Sequence, residues 1–246
     1  CTPAYLGRDP WLLKMLSEKS GIQIITNTGY YGAVDNKYLP AHAFTETATQ
    51  LAQRWIGEFT EGIEGSDIRP GFMKISVGAE VPLSEVHQKL VRAAAIAHLS
   101  TGLTIASHTG PALPALEEIA ILQQEGVGPS AFIWVHAQAE KDYSYYDRVY
   151  NLGAWISLDG AAWDVEGHLE RLLYCREKGL LDKVLLSHDA GWYKPGEPNG
   201  GDFKGFIVIF DELIPQLIEN GFTQKEVDQL LVVNPSKAFI VAVRRN

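Results

Sequence analysis

The chain has 246 residues, 46% of them hydrophobic and 21% charged, with 23 Gly, 12 Pro and two Cys. This composition excludes a disordered, collagen-like or disulfide-stapled chain, and the length suits one large α/β domain of roughly 250 residues. With 21 Lys plus Arg against 30 Asp plus Glu, the net charge of −9 argues against a general binder of nucleic acid or anionic membranes.

The chain opens at Cys1 with no initiating Met. A lipidated Cys is usually followed by a polar tether, whereas Gly7-Arg8-Asp9 leads directly into a helical stretch, so the expectation is a preceding segment rather than a lipid anchor. Cys1 and Cys175 have no CxxC spacing, and one pair cannot staple a domain of this size. The fold must therefore rest on its core. No apolar run approaches the roughly 20 residues needed to span a bilayer. The expectation is a soluble protein, cytoplasmic or periplasmic.

Short apolar, β-branched runs predict strands at 22–28, 72–76, 103–108, 132–136, 154–158 and 184–188. Amphipathic stretches predict helices at 46–56, 85–100, 113–125, 145–152 and 165–178, then 204–220 and 225–243. Ser84 is an N-cap candidate, and Gly102, Gly126, Gly153, Gly179 and Gly221 follow helical stretches as C-terminal caps. Near-continuously apolar strands that return through helices imply a parallel sheet covered on both faces. Six or seven β/α units without a dinucleotide-binding Gly fingerprint point to a (β/α)8 TIM barrel, read as one domain over residues 1–246. The segment 190–205, rich in Gly and Pro, reads as a loop that lines or covers the catalytic face.

Four strands end on Lys74, His108, His136 and Asp189. A lone His on a strand is usually a hydrogen-bonded core residue. Four such endings are different, because barrel closure collects the C-terminal ends of separate strands around one active site. Two imidazoles and a carboxylate suit Zn²⁺ or a similar divalent metal. An ammonium beside metal ions is strongly disfavoured, but a neutral lysine amine can take up carbon dioxide to form an anionic carbamate ligand. The alternative at Lys74 is a Schiff base, and the neighbouring His and Asp favour the metal. Tyr30, Tyr31, Trp163, Trp192 and Tyr193 follow strand ends and are candidates for an apolar substrate pocket or for loop packing. Strand alternation turns His188 away from Asp189's side, toward the helices, and His42, His87, His98 and His168 are expected to be solvated.

Thr28-Gly29-Tyr30-Tyr31, Ile68 through Lys74, Ser107-His108-Thr109, Val135-His136 and Ser187-His188-Asp189 together resemble the phosphotriesterase family of the amidohydrolase superfamily. Gly7-Arg8-Asp9 is also similar to the family pattern at the end of its second strand. The resemblance implies a hydrolase with two divalent metal ions, Zn most of all, bridged by carboxylated Lys74. His108 and His136 would bind the more exposed ion. Asp189 would bind the more buried one and accept a proton from a bridging hydroxide that attacks a lactone, carboxylic ester or phosphoester. It also implies a small-molecule substrate and a homodimer.

This chain departs from the family pattern in three places. No H-x-H motif occurs, and the family's first strand, which carries it, would lie before Cys1, so the residues correspond to strands two to eight. Gly160 follows Asp159 where relatives often carry His or Arg, and Ala139 stands where an acid is common. The competing expectation is a non-catalytic barrel with an incomplete metal site that binds a small molecule or partner. A lysine Schiff-base lyase ranks third.

Overall fold

The computed structural model describes residues 3–246, so Cys1 lies outside the described residues. Two compact units are present. The first comprises residues up to Trp134 together with 238–246, and the second comprises 135–237.

The first unit opens with α1 (Pro10–Ser20), whose start is set by Asp9: its side chain accepts from Leu12 N at 3.0 Å, and Pro10 supplies a preset φ at the first helical position. Strand β1 is only Asn27–Thr28, paired with Phe72 and Met73. The apolar run predicted from residue 22 therefore pairs as a strand only at its end, and Ile22 and Ile25 are exposed. A helical turn, α2 (His42–Thr45), precedes α3 (Ala48–Glu61). Thr47 and Gln50 close a reciprocal capping box at the start of α3, so the helix begins two residues later than the periodicity suggests.

Strand β2 (Phe72–Ser76), α4 (Glu85–Thr101), β3 (Ile105–His108), α5 (Ala112–Gln124) and β4 (Phe132–Val135) follow. Strands β1 to β3 pair in parallel, and β4 lies next to β3. The chain enters the second unit within β4. Ser84 caps α4, and Gly102 takes the left-handed conformation that ends it, at φ 76°. The C-terminal residues differ from the sequence expectation. The final helix stops at Ala238, and Arg244 and Arg245 run back along the first unit, where Gly128 N donates to Arg244 O and Arg245 bridges Val127. Backbone pairing wins there over an apolar periodicity that suits either state.

The second unit holds α6 (Ser144–Leu152), β5 (Trp155–Leu158), α7 (Val165–Glu177) and β6 (Val184–Leu186). Strands β5 and β6 pair in parallel and are buried on both faces, as their unbroken apolar character requires. The long connection after β6 carries one short helical turn, at Pro198–Gly200, and the helix predicted from 204 starts about four residues later, through a wide turn at Ile209–Leu213, and continues as α8 (Ile214–Glu219). Helices α9 (Gln224–Asp228) and α10 (Asn234–Ala238) flank another wide turn at Gln229–Val233. Asn234, fully buried, donates to the carbonyls of Leu181 and Val184 and ties this helical end to the start of β6. Among the described residues, no helix is long and apolar enough to cross a membrane.

Three histidines expected in solvent are buried and hydrogen-bonded. His98 donates from Nδ1 to Leu103 O and accepts from Arg244 N on Nε2. His168 donates to Asp164 O and accepts from Gly160 N. Burial lowers the pKa of both, which keeps them neutral pins between loop and helix. His87, also buried, joins Gly32 O and Asn36 to the Glu80 loop. His42, half-buried, shares a hydrogen bond with the Tyr30 hydroxyl. A helical His with polar neighbours in sequence gives no sign that its ring turns inward.

Candidate active site

In the first unit, the register of β2 and β3 sets Lys74 opposite Ala106 and Ser76 opposite His108. Cross-strand partners share a face and alternate residues return to it, so Lys74, Ser76, Ala106 and His108 project to the same side of the sheet. Met73 and Ile75 take the other side and are fully buried. Lys74 is half-buried, and its cross-strand neighbour is the small Ala106. The backbone after β1 passes very close: a Cβ on Gly29 would sit 2.5 Å from Lys74 O, and Gly29 has φ 105°. Only glycine fits that crossing without strain.

Tyr31 bridges Ser76 and lies against His108, its hydroxyl 3.2 Å from each ring nitrogen and the two rings edge-on at 5.0 Å. Tyr30 is turned inward, buried edge-on against Trp55, with centroids 5.3 Å apart. Its surroundings are those of a core residue, and burial raises the pKa of its phenol.

Sequence reasoning did not single out Glu118, which stands fully buried on α5 behind His108's strand. Thr109 Oγ1 lies 2.6 Å from Glu118 Oε1 and 3.2 Å from Ser107 O. One hydroxyl proton cannot serve two acceptors well. A protonated Glu118 resolves the conflict by donating to Thr109, which then donates to Ser107 O. Burial pushes the Glu118 carboxyl up to about 8, in agreement with that arrangement.

In the second unit, His136 and Asp189 follow β4 and β6 and both have left-handed backbones, at φ 62° and φ 46°. Such conformations cost roughly 1–3 kcal/mol each and persist only where surroundings enforce them. At His136 the enforcing group is Asp159. Its carboxylate accepts from His136 N at 2.9 Å and from His136 Nδ1 at 2.6 Å. At Asp189 it is a pair of indoles: Trp163 Nε1 and Trp192 Nε1 donate to Asp189 O at 2.8 and 3.1 Å. Both tryptophans keep more than half of their surface exposed, so each combines a hold on Asp189 with an apolar face turned to solvent. Gly191 N donates to Lys204 O, and the Lys204 ammonium lies over the Trp163 ring at 5.6 Å, which closes the loop on the same cluster. His188 leaves this cluster and accepts from Ile209 N. Tyr193 is exposed and packs over Gly200.

Among the described residues, no three or more His, Cys, Asp or Glu side chains form a group that could hold a metal ion. The second cysteine, Cys175, is a buried free thiol whose pKa burial raises to about 12, so it is neither a ligand nor a nucleophile at neutral pH.

The chain is 31% identical over 242 residues to the phosphotriesterase homology protein of Escherichia coli, covering 97% of this chain and 81% of that one. The aryldialkylphosphatase of Saccharolobus solfataricus is 29% identical, with 95% of this chain and 77% of that one covered. The N-acetyltaurine hydrolase of Danio rerio is 26% identical, with coverage of 96% and 70%. Among solved structures, the E. coli protein, crystallised with phosphate in its active site, superposes with a TM-score of 0.86 at 29% identity, over 97% of this chain and 82% of that one. A lactonase from Listeria monocytogenes gives 0.86 at 26% identity, over 98% and 80%. The fold is accordingly that of the family's (β/α)8 TIM barrels. The profile of the phosphotriesterase family matches residues 1–239, and the chain belongs to that family.

Proposed function

We propose that this protein is a metal-dependent hydrolase that cleaves a lactone, carboxylic ester or phosphoester. The carrying observation is the β2–β3 register, which sends Lys74 and His108 from adjacent parallel strands to one face of the sheet in a chain of this family. Relatives named as an aryldialkylphosphatase, a lactonase and an N-acetyltaurine hydrolase support hydrolysis as the reaction class.

In this reading Lys74, His108, His136 and Asp189 would hold two divalent ions, and zinc is the best match to imidazole and carboxylate ligands as residue types. Lys74, as the carbamate formed with carbon dioxide, would supply an anionic oxygen ligand. His108 and His136 would contribute neutral imidazoles, and Asp189 a carboxylate. When bound, the ions would lower the pKa of water toward neutrality and polarise the substrate's carbonyl or phosphoryl oxygen. Asp189 would accept the proton released as that water attacks. Tyr31 would orient His108 through its hydroxyl, and Trp163 and Trp192 would hold Asp189 by its backbone while offering apolar surface to the substrate's body.

A panel of aryl esters, lactones and organophosphates tests the proposal on the full-length protein. Turnover of at least one class, rising with pH through the pKa of the bound water and abolished by chelation, is expected. A rate indifferent to both pH and chelator would rule the mechanism out.

A further inference from the structure

We infer that Asp159 is a positioning residue that sets the tautomer of His136: in the ring's neutral form the proton sits on Nδ1, against the carboxylate, and Nε2 is the basic nitrogen. The inference deepens the metal-site proposal, and it rests on that proposal for its purpose but not for its geometry.

Asp159 is buried, and its carboxylate is met by donors from several directions. Oδ1 accepts from His136 Nδ1 at 2.6 Å and Gln138 Nε2 at 2.9 Å. Oδ2 accepts from His136 N at 2.9 Å and Ser157 Oγ at 2.9 Å. Gln138 also accepts from Asp159 N through Oε1, at 3.2 Å, so its amide is oriented by two contacts to the same residue. This donor set calls for an acceptor-only group, which an ionised carboxylate is and a neutral amide is not. Gly160 is part of the arrangement: a Cβ there would stand 2.9 Å from Gln138 Nε2 and 3.4 Å from the His168 ring, so the bare glycine makes room for the amide.

An imidazole whose Nδ1 proton is given to a carboxylate offers Nε2 to a metal, and such a partner fixes ring orientation as well as tautomer. Here the same carboxylate also holds His136 N, and with it the left-handed turn that aims the ring. Asp159 thus sets tautomer, rotamer and backbone together.

Asp159→Asn isolates the effect. The new amide nitrogen must replace one carboxylate oxygen. At the Oδ2 position it would face His136 N–H, a backbone donor that cannot become an acceptor. At the Oδ1 position it faces His136 Nδ1 and Gln138 Nε2; the imidazole relieves its conflict by moving its proton to Nε2, and Gln138 relieves the other by turning its amide over, at the loss of the 3.2 Å bond from the residue 159 N–H. The substitution is therefore expected to reverse the tautomer, and it removes the lone pair from Nε2.

Two-bond ¹H–¹⁵N correlation spectra of metal-stripped, full-length protein, with His136 assigned by its loss in His136→Gln, read the tautomer directly. The wild type is expected to show Nδ1–H, a result that needs no variant to fold, and D159N to show Nε2–H. Zinc affinity measured by competition with a chromophoric chelator is expected to fall about 10–100-fold in D159N. An Nε2–H tautomer in the wild type, or a D159N protein with wild-type tautomer and wild-type zinc affinity, overturns the inference. A wild type that shows Nδ1–H but binds no zinc upholds the tautomer assignment and overturns the metal proposal instead.

Discussion

Replacing Glu118 with Gln turns the most deeply buried acid of the first unit into a test of the electrostatics behind His108. The folded state holds this carboxyl at a pKa of about 8, against 4.5 for the ordinary group, because burial penalises its charge. A raised acid pKa means that the folded protein binds the proton more tightly than the unfolded chain does. Stability from this source is therefore complete below about pH 4.5, declines as pH rises toward 8, and is flat above. At roughly 1.4 kcal/mol per unit over the interval from 4.5 to 8, the loss approaches ~4–5 kcal/mol as an upper bound. Gln cannot ionise, and its amide can still donate to Thr109 Oγ1, so E118Q escapes the decline. Urea unfolding at intervals from pH 5 to pH 9 should show the two proteins within about 1 kcal/mol at the acid end, the usual worth of one altered hydrogen bond. The variant should then become progressively the more stable. Parallel stability curves across that range would falsify the assignment of a buried, protonated Glu118.

Two further substitutions probe the strand ends. Gly29→Ala places a Cβ 2.5 Å from Lys74 O at φ 105°, so the midpoint of urea unfolding should drop by the equivalent of about 2 kcal/mol or more, and an unchanged midpoint would contradict the close crossing of β1 and β2. Trp163→Phe with Trp192→Phe removes both indole donors from Asp189 O while keeping two exposed rings. The double variant should lose several-fold in kcat with little change in KM, and a loss confined to KM would assign the pair to substrate contact alone.

The parts of the proposed site legible in the sequence are those that interrupt a pattern. Lys74, His108, His136 and Asp189 each follow a run of apolar residues, and strand periodicity gives those positions a face and an end. Asp159 also follows such a run, but its role depends on His136 and Gln138, which lie 23 and 21 residues earlier in the chain and meet it only after folding. Glu118, His98 and His168 were hidden for a different reason. On an amphipathic helix a polar residue reads as solvent-facing, and nothing local reports that a backbone carbonyl or a Thr hydroxyl waits inside to receive it. The helical boundaries at Ala238 and Ile209 depart from the apolar periodicity because spacing alone does not show where the backbone finds other partners, as it does at Arg244 and Arg245. The two indole contacts to Asp189 belong to the same class, since the sequence shows aromatic residues after strand ends but not which atom they hold.

The central proposal is that two divalent ions are held with the help of Lys74 as a carbamate, alongside His108, His136 and Asp189. Metal content of the full-length protein and its Lys74→Ala variant, measured by inductively coupled plasma mass spectrometry after growth with added zinc, tests it most directly. About two ions per chain in the wild type, lost together with hydrolysis in K74A and partly restored to that variant by a short-chain carboxylate supplied in solution, is the expected result. Equal metal content and equal activity in the two proteins would contradict it.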